Sequence, residues 1–272
     1  MGQITMEPEV SATTPANAPE SIAQLRARCQ GPARGTDSFW MRRVGRTCSI
    51  YLTSLLIKTP MSANQVTALF IVMGWGIAAL MAVGTPAAML TGGVLLQVWF
   101  IFDGVDGELA RYRGTASLKG MYLDHMSHAM VRPFVFAGIG WGLYRTTGHA
   151  SMVAAGGLAA ISSVLLPLSS AMKASVAHDL TTLSLPSNYF SEPPAPPSGE
   201  PVEAAARSGG WLKSLARNMP RDPAVINSIL IAAIIDAASG GRPIRAAELV
   251  LAGYAVFLTL IWIKTVQRAS AR

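Results

Sequence analysis

Residues 94–128 read VLLQVWFIFDGVDGELARYRGTASLKGMYLDHMSH. An apolar run stops abruptly at Asp103, and acidic residues begin at once. Carboxylates at or inside a membrane span are costly, and their default reading is functional. Their spacing strengthens that reading. Asp103, Asp106, Gly107, Ala110 and Arg111 fall at i, i+3, i+4, i+7 and i+8, one face of a helix. Gly120, Asp124 and His128 then recur every four residues, one face of a following helix. Two helices joined by a short turn bring Asp103, Asp106, Asp124 and His128 together.

The rest of the chain explains why such a cluster meets an apolar run. The hydrophobic fraction is 51% and only 14% of the 272 residues are charged. A soluble domain carries about 25% charged residues, so the composition points to lipid. The 25 glycines suit close helix packing in a bilayer. Six apolar stretches follow residue 60, at 66–83, 87–102, 124–144, 152–172, 225–238 and 247–266. Several fall short of the ~20 residues that cross a bilayer core and need flanking residues, tilt or thinning. The predicted architecture is an all-α integral membrane protein with six transmembrane helices.

Ahead of the spans, residues 1–37 are rich in Pro, Ala, Thr and Ser and read as a disordered tail. Residues 38–60 mix Phe39, Trp40, Val44, Ile50, Tyr51 and Leu55 with Arg42, Arg43 and Arg46. That suits an interfacial amphipathic helix with its basic face toward anionic headgroups. Residues 61–268 form the six-helix catalytic domain, interrupted at about 185–210 by a Pro-rich loop that contains EPPAPPSGEP.

Net charge is +7. With the N-terminus cytoplasmic, 18 of the 22 Lys and Arg fall on the cytoplasmic side. Arg145, Arg242 and Arg245 fall opposite, and Arg132 lies inside the third span. This is a positive-inside signal. It predicts a multi-pass protein of the cell membrane (the inner or plasma membrane in a bacterium) with both termini cytoplasmic. The basic surplus needs no nucleic-acid partner. Cys29 and Cys48 match no zinc spacing and read as free thiols.

Clustered carboxylates repel one another unless a cation neutralises them, and hard oxygen ligands favour Mg²⁺, Mn²⁺ or Ca²⁺. Magnesium keeps part of its shell for substrate phosphates, so a diphosphate substrate follows. Gly107, Ala110 and Gly120 carry no bulky side chain, which lets a flat base or ribose approach the backbone. Glu108 is expected to face away from the cluster and stay solvated.

The stretch resembles the signature of the CDP-alcohol phosphotransferase family, D-x-x-D-G-x-x-A-R-x8-G-x3-D-x3-D. Asp103, Asp106, Gly107, Ala110, Arg111, Gly120 and Asp124 stand at seven of its eight fixed positions. The six spans, the leading amphipathic helix and SANQVT at 62–67 extend the resemblance to residues 38–268. It implies transfer of a phospho-alcohol group from a CDP-alcohol to an alcohol acceptor, with CMP released, in phospholipid or related lipid synthesis. It also implies Mg²⁺ or Mn²⁺ held by Asp103, Asp106, Asp124 and His128. Gly107, Ala110 and Gly120 would line the cytidine pocket, and Arg111 would contact phosphate or brace the acidic helix. Asn64 and Thr67 resemble the family's polar pair beside the nucleotide. Membrane lipids and a homodimer are further expectations of the family.

His128 stands where the family has its fourth aspartate, its base and second-metal ligand. An imidazole with an ordinary pKa of about 6.5 suits deprotonation of an acceptor hydroxyl, with Asp124 as the other catalytic group. Alternatively, the lost carboxylate weakens the second metal site and leaves an impaired member that binds nucleotide or metal. His125 is placed to assist. Family members with phosphorylated acceptors put basic residues at cytoplasmic helix ends, positions that Lys173 and Arg221 resemble. Arg132, one turn past His128, is the third candidate for the acceptor. A cation transporter with an acidic midplane site is a further alternative, although the Gly-x-x-Ala-Arg spacing gives a transporter no advantage.

Overall fold

The computed structural model describes residues 20–31, 40–182, 222–240 and 245–270. Among them every regular element is helical. In chain order these are α1 (Ile22–Gln30), a π-helical turn (Met41–Gly45), α2 (Arg46–Leu56), α3 (Ala63–Met81), α4 (Pro86–Phe102), α5 (Val105–Tyr112), α6 (Leu118–Thr147), α7 (Ser151–Thr182), α8 (Asp222–Ala238) and α9 (Ala246–Ser270).

The starts of these helices are written in the sequence. Ser62 caps α3 and forms a capping box with Gln65. Thr85 caps α4, with Pro86 at the first position where its missing N–H costs nothing. Ser117 caps α6 by accepting from the Gly120 amide at 3.1 Å. Gly148 ends α6 in the left-handed region, φ 77°.

Four segments are long and apolar enough to cross a membrane by length and composition: Ala63–Met81, Pro86–Tyr112, Ser151–Met172 and Ala246–Gln267. The predicted third span falls on α6, a 30-residue helix whose Asp124, His125, His128 and Arg132 reduce its apolar character. The predicted fifth falls on the apolar but shorter Pro223–Ala238. These helices turn large apolar side chains outward, among them Val72, Ile161, Ile231, Leu249 and Leu260. A face of that kind suits lipid, not water. One core of buried residues, including Phe70, Met81, Trp99, Phe136, Leu143 and Leu251, runs between them.

Glycine sets the closest crossings. A Cβ on Gly138 would overlap the Ala78 carbonyl, and one on Gly142 would overlap that of Met81, so α6 lies directly on the α3 backbone. This crossing joins the C-terminal halves of α3 and α6; nearer the acidic cluster, a Cβ on Gly74 would overlap Val131.

Two expectations need correction. Ile22–Gln30, inside the stretch read as a disordered tail, is a helix opened by a capping box between Ser21 and Gln24. Leu25 and Cys29 pack it onto Ile50 of α2, which supplies the apolar contact the tail's composition did not suggest. Arg46 does not join Arg42 and Arg43 on an outward basic face. Arg42 and Arg43 are exposed, whereas the Arg46 side chain is 14% exposed and turned inward. The π-helical turn at Met41–Gly45 closes i→i+5 bonds and changes the rotation between these arginines. The Pro-rich loop at about 185–210 lies outside the described residues.

Candidate active site at the α4–α5–α6 junction

Asp103 ends α4, Gly104 precedes α5, and α5 runs eight residues before Gly114 turns the chain at φ 66°. Asp103 and Gly104 keep right-handed helical dihedrals, so α5 nearly continues α4, and Asp103 and Asp106 line a cavity of ≈ 480 Å³. Its walls carry Asp103, Asp106 and Asp124 together with Asn64, Thr67, Gly107, Ala110, Arg111 and Gly120. Every residue that the sequence assigned to the nucleotide therefore lines one cavity with the three carboxylates. The cavity also has Arg46 on its wall, which the sequence did not place there.

Asp106 is held on both oxygens. The Thr67 hydroxyl donates to Oδ2 at 2.6 Å, and the Gly107 amide donates to Oδ1 at 2.6 Å. Thr67 is itself buried, one turn into α3, so the start of the first long helix fixes the second aspartate. Arg111 donates through Nε to the Cys29 carbonyl of α1, and its guanidinium lies where a Cβ on Gly107 would meet it at 3.2 Å. Gly107 thus leaves room both for the cavity and for the arginine that braces the helix.

His128 approaches from α6. Its Nε2 lies 2.7 Å from Asp103 Oδ1 and 3.9 Å from Asp124 Oδ1. Phe70 and Trp99, stacked at 4.2 Å between ring centroids, present edges to the imidazole from the core side. The ring is pinned between an aromatic wall and two carboxylates. One donor atom from each of Asp103, Asp124 and His128 lies within 4.8 Å of the others. Two carboxylate oxygens and an imidazole nitrogen at that separation fit a divalent cation. Asp106 stands next to this triad, with its oxygens engaged by Thr67 and Gly107.

Other predicted residues sit elsewhere. His125 is exposed; its Nδ1 bonds to the Met121 carbonyl at 2.8 Å and lies 4.0 Å from Asp124 Oδ2, so it stands beside the triad and outside it. Arg132 lines a separate small cavity of ≈ 60 Å³ with Trp99, Ser163, Leu166 and Pro167, not the wall that holds Asp106. Lys173 falls on α7 with its side chain outside the described residues, and Arg221 lies outside them entirely.

Glu108 faces away from the cluster as expected, but it is not solvated. It is fully buried on the face of α5 away from the cavity. Ser49 donates to Oε1 at 2.6 Å and Thr53 to Oε2 at 2.7 Å. Gln30 adds a bond at 2.9 Å and Arg46 an ion pair at 3.2 Å. Arg46 also donates to the Gly104 carbonyl at 3.3 Å. The signal was present in α2: Arg46, Ser49 and Thr53 fall at i, i+3 and i+7, a polar stripe that needs a polar partner.

Fold and cavity together define an all-helical protein of membrane type with a carboxylate-lined cavity at a helix junction. Residues 60–185 match the family CDP-alcohol phosphatidyltransferase, in agreement with the resemblance read from the motif. Among curated relatives, it is 33% identical over 113 residues to the bifunctional IPC transferase and DIPP synthase of Thermococcus kodakarensis. That match covers 41% of this chain and 25% of the relative. The enzyme of the same name from Rubrobacter xylanophilus is 32% identical over 127 residues, covering 45% of this chain and 28% of the relative. The chain thus spans about a quarter of the length of these relatives. Among solved structures, the phosphatidylinositol phosphate synthase of Mycobacterium tuberculosis with CDP-DAG bound has a similar fold. Its TM-score is 0.53 at 16% identity, covering 82% of this chain and 94% of that one.

Proposed function

We propose that this protein is a divalent-metal-dependent CDP-alcohol phosphotransferase of lipid synthesis. It spans the membrane six times, behind an interfacial α2, with both termini and the cavity mouth on the cytoplasmic side. The observation that carries this reading is the single cavity in which Asp103, Asp106 and Asp124 share walls with Gly107, Ala110, Gly120, Asn64, Thr67 and Arg111. The 18-to-3 distribution of basic residues supports the orientation.

In the proposed reaction an acceptor hydroxyl attacks the β-phosphorus of the CDP-alcohol in line with the departing CMP. The new P–O bond forms as the bond to the CMP oxygen breaks. Asp103, Asp124 and His128, with Asp106 beside them, would hold Mg²⁺ or Mn²⁺. When bound, the ion supplies neutralisation of the diphosphate charge. Gly107, Ala110 and Gly120 admit the cytidine against bare backbone, with Asn64 at the rim. Arg111 braces α5 and faces the phosphates. Thr67 keeps Asp106 in one orientation, which matters because misplacement of about 1 Å is costly to such a reaction.

The two roles considered for His128 compete, since one Nε2 cannot ligate an ion and accept a proton together. Its 2.7 Å contact to Asp103 inside the donor triad favours the ligand role. Asp124, which lines the cavity with its side chain 39% exposed, keeps a second carboxylate oxygen when one ligates the ion, and that oxygen is then the group that takes the acceptor proton. Because the solved neighbour is a phosphatidylinositol phosphate synthase, inositol phosphate is the first acceptor to test, with Arg132, Lys173 and Arg221 as candidate contacts. A homodimer belongs to the same proposal and is read by crosslinking in membranes.

The test is CMP release by the purified protein from CDP-diacylglycerol and water-soluble CDP-alcohols, with Mg²⁺ or Mn²⁺, across a panel of acceptors. Release that needs both the ion and an acceptor supports the transferase. CDP-lipid binding without release under any condition replaces it with the impaired binding protein.

A further inference from the structure

We infer that Arg46 is a substrate-binding residue for the diphosphate, and that the buried Glu108 is the positioning residue that aims it. The inference rests on the transferase reading above. Arg46 lies on α2, ahead of the residues that match the family, and belongs to no position of the motif. It nevertheless forms part of the cavity wall, beside Asp103, Gly104 and Asp106.

Arg46 is the cation paired with Glu108, yet it also reaches the cavity wall. Ser49, Thr53 and Gln30 already engage both Glu108 oxygens at 2.6 Å, 2.7 Å and 2.9 Å. A buried ion pair is seldom more stable than an apolar replacement, so stability alone gives little reason to keep one at this place. The geometry fits aiming instead. One guanidinium nitrogen is held by Glu108 at 3.2 Å and by the Gly104 carbonyl at 3.3 Å, which fixes the plane of the fork. The carbonyl belongs to the residue that follows Asp103. Its place on the wall sets a guanidinium, a group that phosphate oxygens favour, beside the acidic cluster.

Gly104 completes the arrangement. A Cβ there would lie 3.1 Å from the same Arg46 nitrogen and 3.4 Å from Ser49 Oγ. Any side chain at 104 would press on the arginine, so the residue after Asp103 is small for the sake of α2. The second cation on the wall, Arg111, is tied by its Nε to the Cys29 carbonyl. Arg111 is therefore held by a helix that precedes the family-matched region, and Arg46 is carried by one.

The test compares wild type with Arg46→Gln, Arg46→Lys, Glu108→Gln and the Arg46→Gln/Glu108→Gln pair, in CMP release and in binding of cytidine, CMP and CDP. Arg46→Gln is expected to raise KM for the CDP-alcohol and Kd for CDP by about tenfold to hundredfold, the range for a hydrogen bond to a charged group. Cytidine affinity stays at the wild-type value. Arg46→Lys recovers only part of the loss, because an ammonium lacks the fork. Glu108→Gln shifts KM in the same direction, and the double variant is no worse than Arg46→Gln alone. An unchanged Kd for CDP in Arg46→Gln overturns the inference, as does an equal loss for cytidine and CDP. Additive effects in the pair overturn the positioning role of Glu108. Should Glu108→Gln fail to fold, Gly104→Ala displaces the guanidinium with every charge retained, and a raised KM supports the inference while an unchanged one opposes it. A wild-type protein that releases no CMP refutes the transferase reading, and the cytidine and CDP comparison still decides the role of Arg46.

Discussion

The two faces of α5 are built from the same eight residues and differ in almost everything else. The front face carries Asp106, Gly107, Ala110 and Arg111 and opens onto the cavity. The rear face carries Val105, Glu108 and Leu109, all buried, against α2 and neighbouring residues. At the front, polar groups are kept for a ligand. At the rear, a carboxylate is closed in by four partners from α1 and α2. The contrast teaches that an acidic helix can be reactive on one side only if its other side is anchored, because α5 is too short to hold its own position.

The largest expected effect lies at the front. Asp103→Asn and Asp124→Asn each remove a charged member of the donor triad, and CMP release is expected to fall by about a hundredfold to a thousandfold or more. Chelation by EDTA should abolish release, and excess Mg²⁺ should restore it. Both variants should melt close to wild type, because these side chains face a cavity. Normal turnover in Asp103→Asn would contradict the ion-binding assignment and erase the distinction between the faces.

The rear face reverses this pattern. Glu108→Ala leaves Arg46 buried without its carboxylate and strips the acceptor from Ser49 and Thr53. Removal of one partner of a buried pair costs about 3–5 kcal/mol, so thermal unfolding in detergent should move down by several degrees or more. Thr53→Val takes away a single hydrogen bond and should cost about 1 kcal/mol. A Glu108→Ala protein as stable as wild type would show that the rear face anchors nothing.

His128 joins front to core and is expected to fall between these effects. His128→Ala should lose most CMP release and weaken the apparent affinity for the ion. His128→Asp returns an oxygen donor and should recover activity in part, limited by the aromatic edges of Phe70 and Trp99 that surround an imidazole. A titration of rate against Mn²⁺ separates the roles. A pure base would leave the half-saturating concentration in place, whereas a ligand would move it upward.

The front face was legible in the sequence and the rear was not, for a physical reason. Asp103, Asp106, Gly107, Ala110, Arg111, Gly120 and Asp124 lie within two adjacent helices, so helical spacing alone predicts that they converge. Glu108 is two residues from Asp106, which on a helix turns it to the opposite side, and the natural expectation for an acid there is water. What stands there instead comes from residues 55 to 78 positions earlier in the chain, and no local period records such a contact. The inward turn of Arg46 was hidden further by the π-helical register, and α1 by the polar composition around it. The capping box Ser21–Gln24 and the stripe Arg46, Ser49, Thr53 were the traces left in the sequence. The six apolar stretches coincide with six helices for the opposite reason, since hydropathy needs no partner to be read.

The smallest effect tests whether the rear face is closed in solution. Cys29 of α1 is fully buried and Cys48 of α2 is exposed. Burial pushes the Cys29 thiol pKa above its ordinary value, and the nearby Glu108 carboxylate adds to the rise. Alkylating reagents consume the thiolate, so both access and ionisation protect Cys29. In folded protein at neutral pH, a maleimide should label Cys48 quickly and Cys29 slowly. The raised pKa also fixes a sign. A thiol that stays protonated in the folded state contributes stability below the ordinary thiol range, and that contribution is lost as pH rises through the raised value. The effect on unfolding is therefore small at neutral pH and destabilising only in alkali, and it should disappear in Cys29→Ser. Labelling of Cys29 at the rate of Cys48 would mean that α1 does not stay seated on α2 and α5. The Cys29 carbonyl would then not hold Arg111, nor Gln30 hold Glu108, and the anchored rear face would be lost while the motif on the front stayed intact.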